Sequence, residues 1–209
     1  MGEVFQQVLS IGQSCRERHQ ARRFFGKNSG RKGVFDWQIT PTDALLQYMS
    51  RDFSGMLDLA DLEVKDGQVT NIRFGTIHPH EFSPTKDIAQ QYPKVRANHD
   101  RWCAHALSVL TNDRSALFVL SYPVPVETIG EITEAIARLN PRKRFLVLNG
   151  PEGDSEAIWV GDDAVWDKHL SHFEIRPTAL ARAGYLYHRL RNNISRYTGN
   201  RGRTARDDL

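Results

Sequence analysis

The apolar positions of this chain follow two spacings that alternate along it. Val4, Phe5, Val8, Leu9 and Ile11 make a short apolar run that predicts a strand, and Gly12 supplies the backbone freedom for a sharp exit. Ala21, Phe24 and Phe25, set among Arg16, Arg18, Arg22 and Arg23, then recur at helical spacing until Gly26. In Thr40-Pro41-Thr42-Asp43 a cap, a proline for the first helical position and an early acid announce a helix over 44–50. Runs over 62–65 and 68–74 flank Asp66-Gly67, a strong two-residue hairpin signal, and lead into a histidine-bearing loop over 76–82.

Asn98 or Asp100 reads as the cap of a helix whose apolar stripe is Trp102, Cys103, Ala106, Leu107, Val109 and Leu110, which makes Cys103 a core residue. The runs 116–121 and 144–149 predict strands buried on both faces. Between them Ile129, Ile132, Ile136 and Leu139 set a helix over 126–139, and strand, helix, strand at this length is a βαβ unit. A short strand over 157–160, a helix over 164–173 and a long helix over 178–197 complete the reading. The expected fold is α/β, a three-layer sandwich with a mainly parallel central sheet and an inserted β-hairpin. Cys15 then sits at the carboxyl end of the first strand, the edge where such folds place ligands.

Composition narrows this picture. A chain of 209 residues with 40% hydrophobic content can bury one sizeable core, so residues 1–197 are expected to form one domain and 198–209 a basic tail. The opening residues lack the basic start and apolar run of a secretory signal, Gln6 stands where myristoylation favours Ser or Thr, and no stretch approaches transmembrane length. The expected location is cytoplasmic. Two cysteines far apart, without C-x-x-C spacing, argue against a disulfide framework or a zinc ribbon and are expected to be free thiols. The net charge of +3 is uneven: residues 15–32 hold seven Lys or Arg against one acid, and 182–209 hold seven Arg against two. A basic patch near Cys15 suits an anionic ligand or a thiolate, and the tail suits RNA or anionic lipid, or is a solvated end.

The chemistry centres on Ser10-Ile11-Gly12-Gln13-Ser14-Cys15-Arg16-Glu17. Ser14 and Glu17 fit a capping box, which makes Cys15 the first helical residue, facing unpaired amides and the positive helix end. With Arg16 and Arg18 nearby, its pKa is expected below the free-thiol value of about 8.5. The alternative is a small buried cysteine filling the strand-helix corner. A cysteine hydrolase or transferase needs a thiolate, a base and an orienting group. His80 is the preferred base, with His19, four residues beyond Cys15 on the helix, as a local rival; Asp36, an acid in an apolar run, is the preferred orienter. Amides of 14–17 are expected to serve as an oxyanion hole. His78 and His80, one residue apart in an extended segment, would share a side as metal ligands, but no further ligand follows at a familiar spacing, so no metal is expected. The segment 10–13 lacks the glycines and lysine of a phosphate loop, and no cofactor is expected. His169 and His172, behind Asp162, Asp163 and Asp167, resemble the late Asp/His pair of SGNH-type esterases without its spacing, and read as a polar helix face.

Strand, Ser-Ile-Gly-x-x-Cys, arginine-rich helix, Phe35-Asp36-Trp37, Asp52-Phe53, His80-Glu81-Phe82 and an Arg101-bearing helix leading into Leu117-Phe118-Val119 resemble a bacterial family of unknown function described as putative papain-like cysteine peptidases. The match runs from about Val8 to Tyr122. Val34 stands for the family's proline, Ile11 for a leucine and Glu81 for an aspartate. The resemblance implies a cysteine-centred site of Cys15 and His80 with Asp36 as third member, and Ser14, Trp37 and Arg101 as substrate contacts. Acyl transfer or hydrolysis on a small-molecule, glycan or peptide substrate is the implied chemistry. The rival class is a non-catalytic module that binds an anionic glycan, lipid head group or nucleic acid through the basic helix and tail, nucleic acid being the weaker expectation.

Overall fold

The computed structural model describes residues 2–155 and 159–179. The first apolar run is two strands, β1 (Glu3–Phe5) and β2 (Gln7–Ser10), divided at Gln6, where the amides of Gln6 and Gln7 both donate to Ser115 O. Two residues facing one is the signature of a bulge. Helix α1 (Arg16–Phe25) follows, then short 3-10 turns over Gly26–Ser29 and Val34–Asp36, then α2 (Thr42–Ser50). Pro41 occupies the cap of α2, one position earlier than expected. The hairpin β3 (Leu62–Lys65) and β4 (Gln68–Asn71) pairs Lys65 with Gln68, and Asp66 and Gly67 take φ of 50° and 73°. Those positive angles are what an Asp-Gly turn provides.

Helix α3 (Ile88–Thr111) starts well before Asn98 and Asp100, both of which lie inside it. Asp87 caps it by accepting from the Ala89 amide at 2.8 Å. Ile88, Tyr92 and Val95 pack on Leu57, Val69 and Phe82 beneath the hairpin, which stabilises the early turns despite the backbone bond that Pro93 removes. Strand β5 (Ala116–Val119), α4 (Val126–Leu139), β6 (Phe145–Leu148), α5 (Asp163–Leu170) and β7 (Phe173–Ile175) complete the described elements. Phe173 belongs to a strand, where the sequence reading extends the helix. Asp162 caps α5, and Asp163 and Asp167 pair with Arg23, so this acidic group serves structure. The expected strand over 157–160 falls partly on residues outside those described, and Trp159 and Val160 form a turn. The expected helix over 178–197 and the tail 198–209 lie outside the described residues from 180 onward.

All three pairings that link β2 to β5, β5 to β6 and β1 to β7 are parallel, and the hairpin is antiparallel. The protein is α/β with parallel sheets. Alternation along β5 supplies two separate apolar clusters: Ala116 and Phe118 join residues of α2, α3 and α4, while Leu117 and Val119 join Ala21, Trp166 and Leu170 of α1 and α5. Each such fully buried large side chain contributes about 1.5–3 kcal/mol. Met1–Arg176 forms one compact unit; Pro177–Leu209 is a second, of which only 177–179 are described. Among the described residues, no helix is long and apolar enough to cross a membrane.

Candidate active site around Cys15

The first apolar run pairs through one half with β5 and through the other with the last strand, β7. In parallel sheets the point where strand order reverses leaves a crevice at the carboxyl edge. Cys15 stands at that edge. Gly12 (φ 114°) and Gln13 (φ 78°) wind the chain from β2 toward α1. Gln13 is not a glycine, and it is held there by its amide on Thr40 O at 2.9 Å and by its side-chain oxygen, which accepts from the Tyr122 amide at 2.8 Å. Strain of about 1–3 kcal/mol at such a residue survives only where surroundings enforce it.

This winding shifts the helix start by one residue. Cys15, and not Ser14, is the N-cap, and the capping box is absent. Ser14 Oγ instead accepts from the Arg16 amide at 3.1 Å and bonds Ser121 Oγ at 2.9 Å, while the Glu17 carboxyl turns inward onto Ser121 Oγ. The Arg16 amide is therefore already occupied, which narrows the expected oxyanion hole.

The electrostatics run opposite to the expected thiolate. Burial pushes the half-buried Cys15 thiol up to about 11; Glu17 and Asp36 push the same way, Lys32 opposes them, and Glu81 adds to the rise. Arg16 and Arg18 are directed elsewhere. Arg16 donates to Asp154 Oδ2 at 2.8 Å and to Trp159 O at 3.1 Å, and lies 4.8 Å over the Tyr122 ring. Arg18 donates to Ser29 O and Gly30 O at 2.7 and 3.1 Å, with Asp36 at 3.9 Å. Arg23 is taken by Asp163 and Asp167. Most of the basic face of α1 is thus committed within the molecule, against a general anion patch.

Three carboxyl groups converge electrically on Cys15. Glu17 is fully buried and raised well above the carboxylate range, first by burial, against the Ser121 hydroxyl. Asp36, on the 3-10 turn, is raised by burial and opposed by Arg18, the Gly33 amide and the Ser10 hydroxyl; its Oδ2 accepts from Gly33 N at 2.7 Å. Glu81 arrives from the loop after the hairpin. There Ile77 is bonded in both directions to Ile39, and the His78 amide donates to Val69 O, which brings the loop over the turn that carries Asp36.

That stitching leaves the two histidines of the loop in different surroundings. His78 is fully buried, with Nδ1 3.2 Å from Glu81 Oε2 and Nε2 3.2 Å from Thr76 Oγ1. His80 is exposed, and among the described residues its side chain has no hydrogen-bond or ion-pair partner. The two imidazoles do not share a side, so the metal-ligand pairing is not formed. His19 is also exposed, its ring edge-on to Trp159 at 5.4 Å. Trp37 lies at the site's rim, stacked on Trp102 at 4.7 Å, with Lys32 Nζ 3.9 Å from its ring centre. Arg101 is exposed on α3 and donates to Asn98 at 2.8 Å, apart from this group.

Sequence reading missed a second polar cluster inside the core. Tyr48 Oη and His99 Nε2 share a hydrogen bond at 2.9 Å, Gln38 donates to Tyr48 at 3.0 Å, and Cys103 Sγ lies 3.5 Å from His99 Nδ1. Cys103 is buried as expected, and burial drives His99 down to about 3, with His78 and Arg96 adding to the fall. His99 and Cys103 at i and i+4 on one helix were the available signal. No family model, no curated protein and no solved structure matches this chain.

Proposed function

We propose that the protein is a cysteine-nucleophile hydrolase or acyltransferase that uses Cys15 on an amide or ester acyl group, the chemistry implied by its resemblance to putative papain-like cysteine peptidases. The observation that carries this reading is a half-buried thiol at a helix start on the carboxyl edge of parallel strands, under the electrostatic influence of the buried carboxyl groups of Glu17, Asp36 and Glu81. Such polar groups are costly to bury and add nothing to a core. Cys15 rests as a neutral thiol and loses its proton as it attacks, so the acceptor must be close. Glu81, backed by His78, takes that role in place of exposed His80, and Asp36 tunes the local charge. The reading places the enzyme in the cytoplasm with a small-molecule, glycan or peptide acyl substrate.

The test is to treat native protein with acyl, ester and peptide electrophiles and map the modified residue. Acylation at Cys15 that disappears in Cys15→Ala is expected. Turnover undiminished in Cys15→Ala, or modification confined to other residues, overturns the proposal.

A further inference from the structure

Glu17 lies in the first turn of α1, where an acid suits the helix dipole while facing solvent, yet its side chain is fully buried. Its carboxyl meets the Ser121 hydroxyl, which stands just beyond the end of β5 and is also fully buried. Ser121 Oγ is in turn 2.9 Å from Ser14 Oγ, and Ser14 is only half-buried. Two hydrogen bonds thus connect a buried acid to the residue that precedes Cys15. Ser14 Oγ also accepts from the Arg16 amide at 3.1 Å, which fixes it at the helix start that Cys15 caps. Burial raises the Glu17 carboxyl well above the ordinary carboxylate range, so it keeps its proton at rest. A hydroxyl gives one hydrogen and takes two. With Glu17 donating to Ser121 and Ser121 to Ser14, both acceptor positions of Ser14 Oγ are filled, and its own hydrogen is left for the crevice.

Building on the acyl-transfer reading, we infer that Glu17, Ser121 and Ser14 form a proton wire that serves the leaving group in the Cys15 crevice, with the Ser14 hydroxyl as its outer end. The Cys15 sulfur forms a C–S bond as the bond from the acyl carbon to the leaving group breaks. Ser14 gives its hydrogen to the departing atom, Ser121 gives its own to Ser14, and the Glu17 carboxyl gives its own to Ser121. Glu17 is left ionised, and the thiol proton rests on Glu81. Water then adds its oxygen and one hydrogen to the acyl carbon as the C–S bond breaks. Its other hydrogen returns along the wire to Glu17, and Glu81 gives the sulfur its proton back. Ser14 alone touches the substrate; Ser121 and Glu17 are positioning residues that act through it.

A wire of this kind matters in proportion to how much the leaving group needs a proton. A para-nitrophenolate departs unaided, whereas a phenolate, which titrates at about 10 as tyrosine does, departs far better with a proton supplied. The experiment follows acetylation of Cys15 in the intact protein by phenyl acetate and by para-nitrophenyl acetate, read by mass and by mapping of the modified residue. Wild type is compared with Glu17→Gln and Ser121→Ala. General acid catalysis is worth about 10²–10⁴-fold, so each substitution should lower the ratio of the phenyl to the nitrophenyl rate by about a hundredfold. Glu17→Gln keeps the size and neutrality of the side chain, and Ser121→Ala leaves Glu17 in place, so either variant decides the question where the other fails to fold. A hydroxyl that only braces the helix start or steadies an oxyanion slows both esters alike. If both esters acetylate Cys15 and the ratio holds in the variants, the wire falls and the nucleophile stands. If neither ester acetylates wild-type Cys15, the acyl-transfer reading falls and takes the wire with it.

Discussion

Asp154 is the residue on which the start of α1 most directly depends. Its Oδ2 accepts from Arg16 Nη1 and from Trp166 Nε1, each at 2.8 Å, and its Oδ1 accepts from the amides of Ser155 and Asp162 at 2.8 and 2.6 Å. The Arg16 and Asp154 side chains are only 1% and 6% exposed. Removing one member of a buried pair costs about 3–5 kcal/mol, and a buried indole deprived of its acceptor about 1–3 kcal/mol. These losses share one carboxylate and do not add, so Asp154→Ala should cost about 4 kcal/mol. In a chain of this size that lowers the thermal midpoint by about 8–16 °C. Asp154→Asn keeps the shape and loses the charge, and should cost about half as much. Although burial pushes the Asp154 carboxyl up, the Asp162 amide, the Trp166 indole, Arg16 and the Ser155 amide hold it below 3.8. A depressed carboxylate stabilises the fold fully above its unfolded pKa and loses that contribution as pH falls through the folded one. Urea unfolding of wild type and Asp154→Asn should therefore differ at neutral pH and converge as the pH falls below the ordinary carboxylate value of 3.8. A cost under about 1 kcal/mol for Asp154→Ala, or a gap unchanged in acid, would refute this account of the helix start.

Cys15 alkylation should rise with a midpoint of about 11 in place of the free-thiol value, and Asp36→Asn, which removes a negative charge, should lower that midpoint; stopped-flow labelling across pH measures both, and a midpoint at or below about 8.5 contradicts the charge arrangement. Gly150→Ala should destabilise by more than about 2 kcal/mol in denaturant unfolding, because an added Cβ would lie 2.5 Å from Tyr122 Cα and 2.6 Å from its amide nitrogen, a backbone that cannot swing aside; a neutral effect would count against this close strand-end approach. Burial above all holds His99 at about 3 and His105 at about 4, so the unfolded chain takes up protons first as pH falls below about 6.5. Stability should decline from there toward pH 4, and a flat profile over that range argues against both buried imidazoles.

The parts of the fold that local chemistry decides were legible in the sequence. Asp66-Gly67 dictates its own turn, and the apolar runs around Phe118 and Leu146 can satisfy themselves only inside a parallel sheet. The start of α3 was hidden because Gln90, Gln91 and Pro93 carry no helical stripe; its anchor is the contact of Tyr92 and Val95 with Leu57 and Val69, far away in sequence. Cys15 was legible as the residue at the strand-helix corner, but its charge state was not. The arginines beside it in sequence are drawn off by Asp154 and the Ser29 and Gly30 carbonyls, while burial, the inward-turned Glu17 and the distant acids at positions 36 and 81 push its thiol up. The burial of His78 and the exposure of His80 follow from the pairing of Ile77 with Ile39, which no spacing within the loop reveals.

A sulfur stored with its proton on has a further property. Peroxide and disulfides react with the ionised form, and a thiol titrating near 11 keeps only about one part in ten thousand in that form at neutrality. Oxidants would thus largely pass over Cys15 at rest, and its readiness to react would depend on a group that relieves it of that proton.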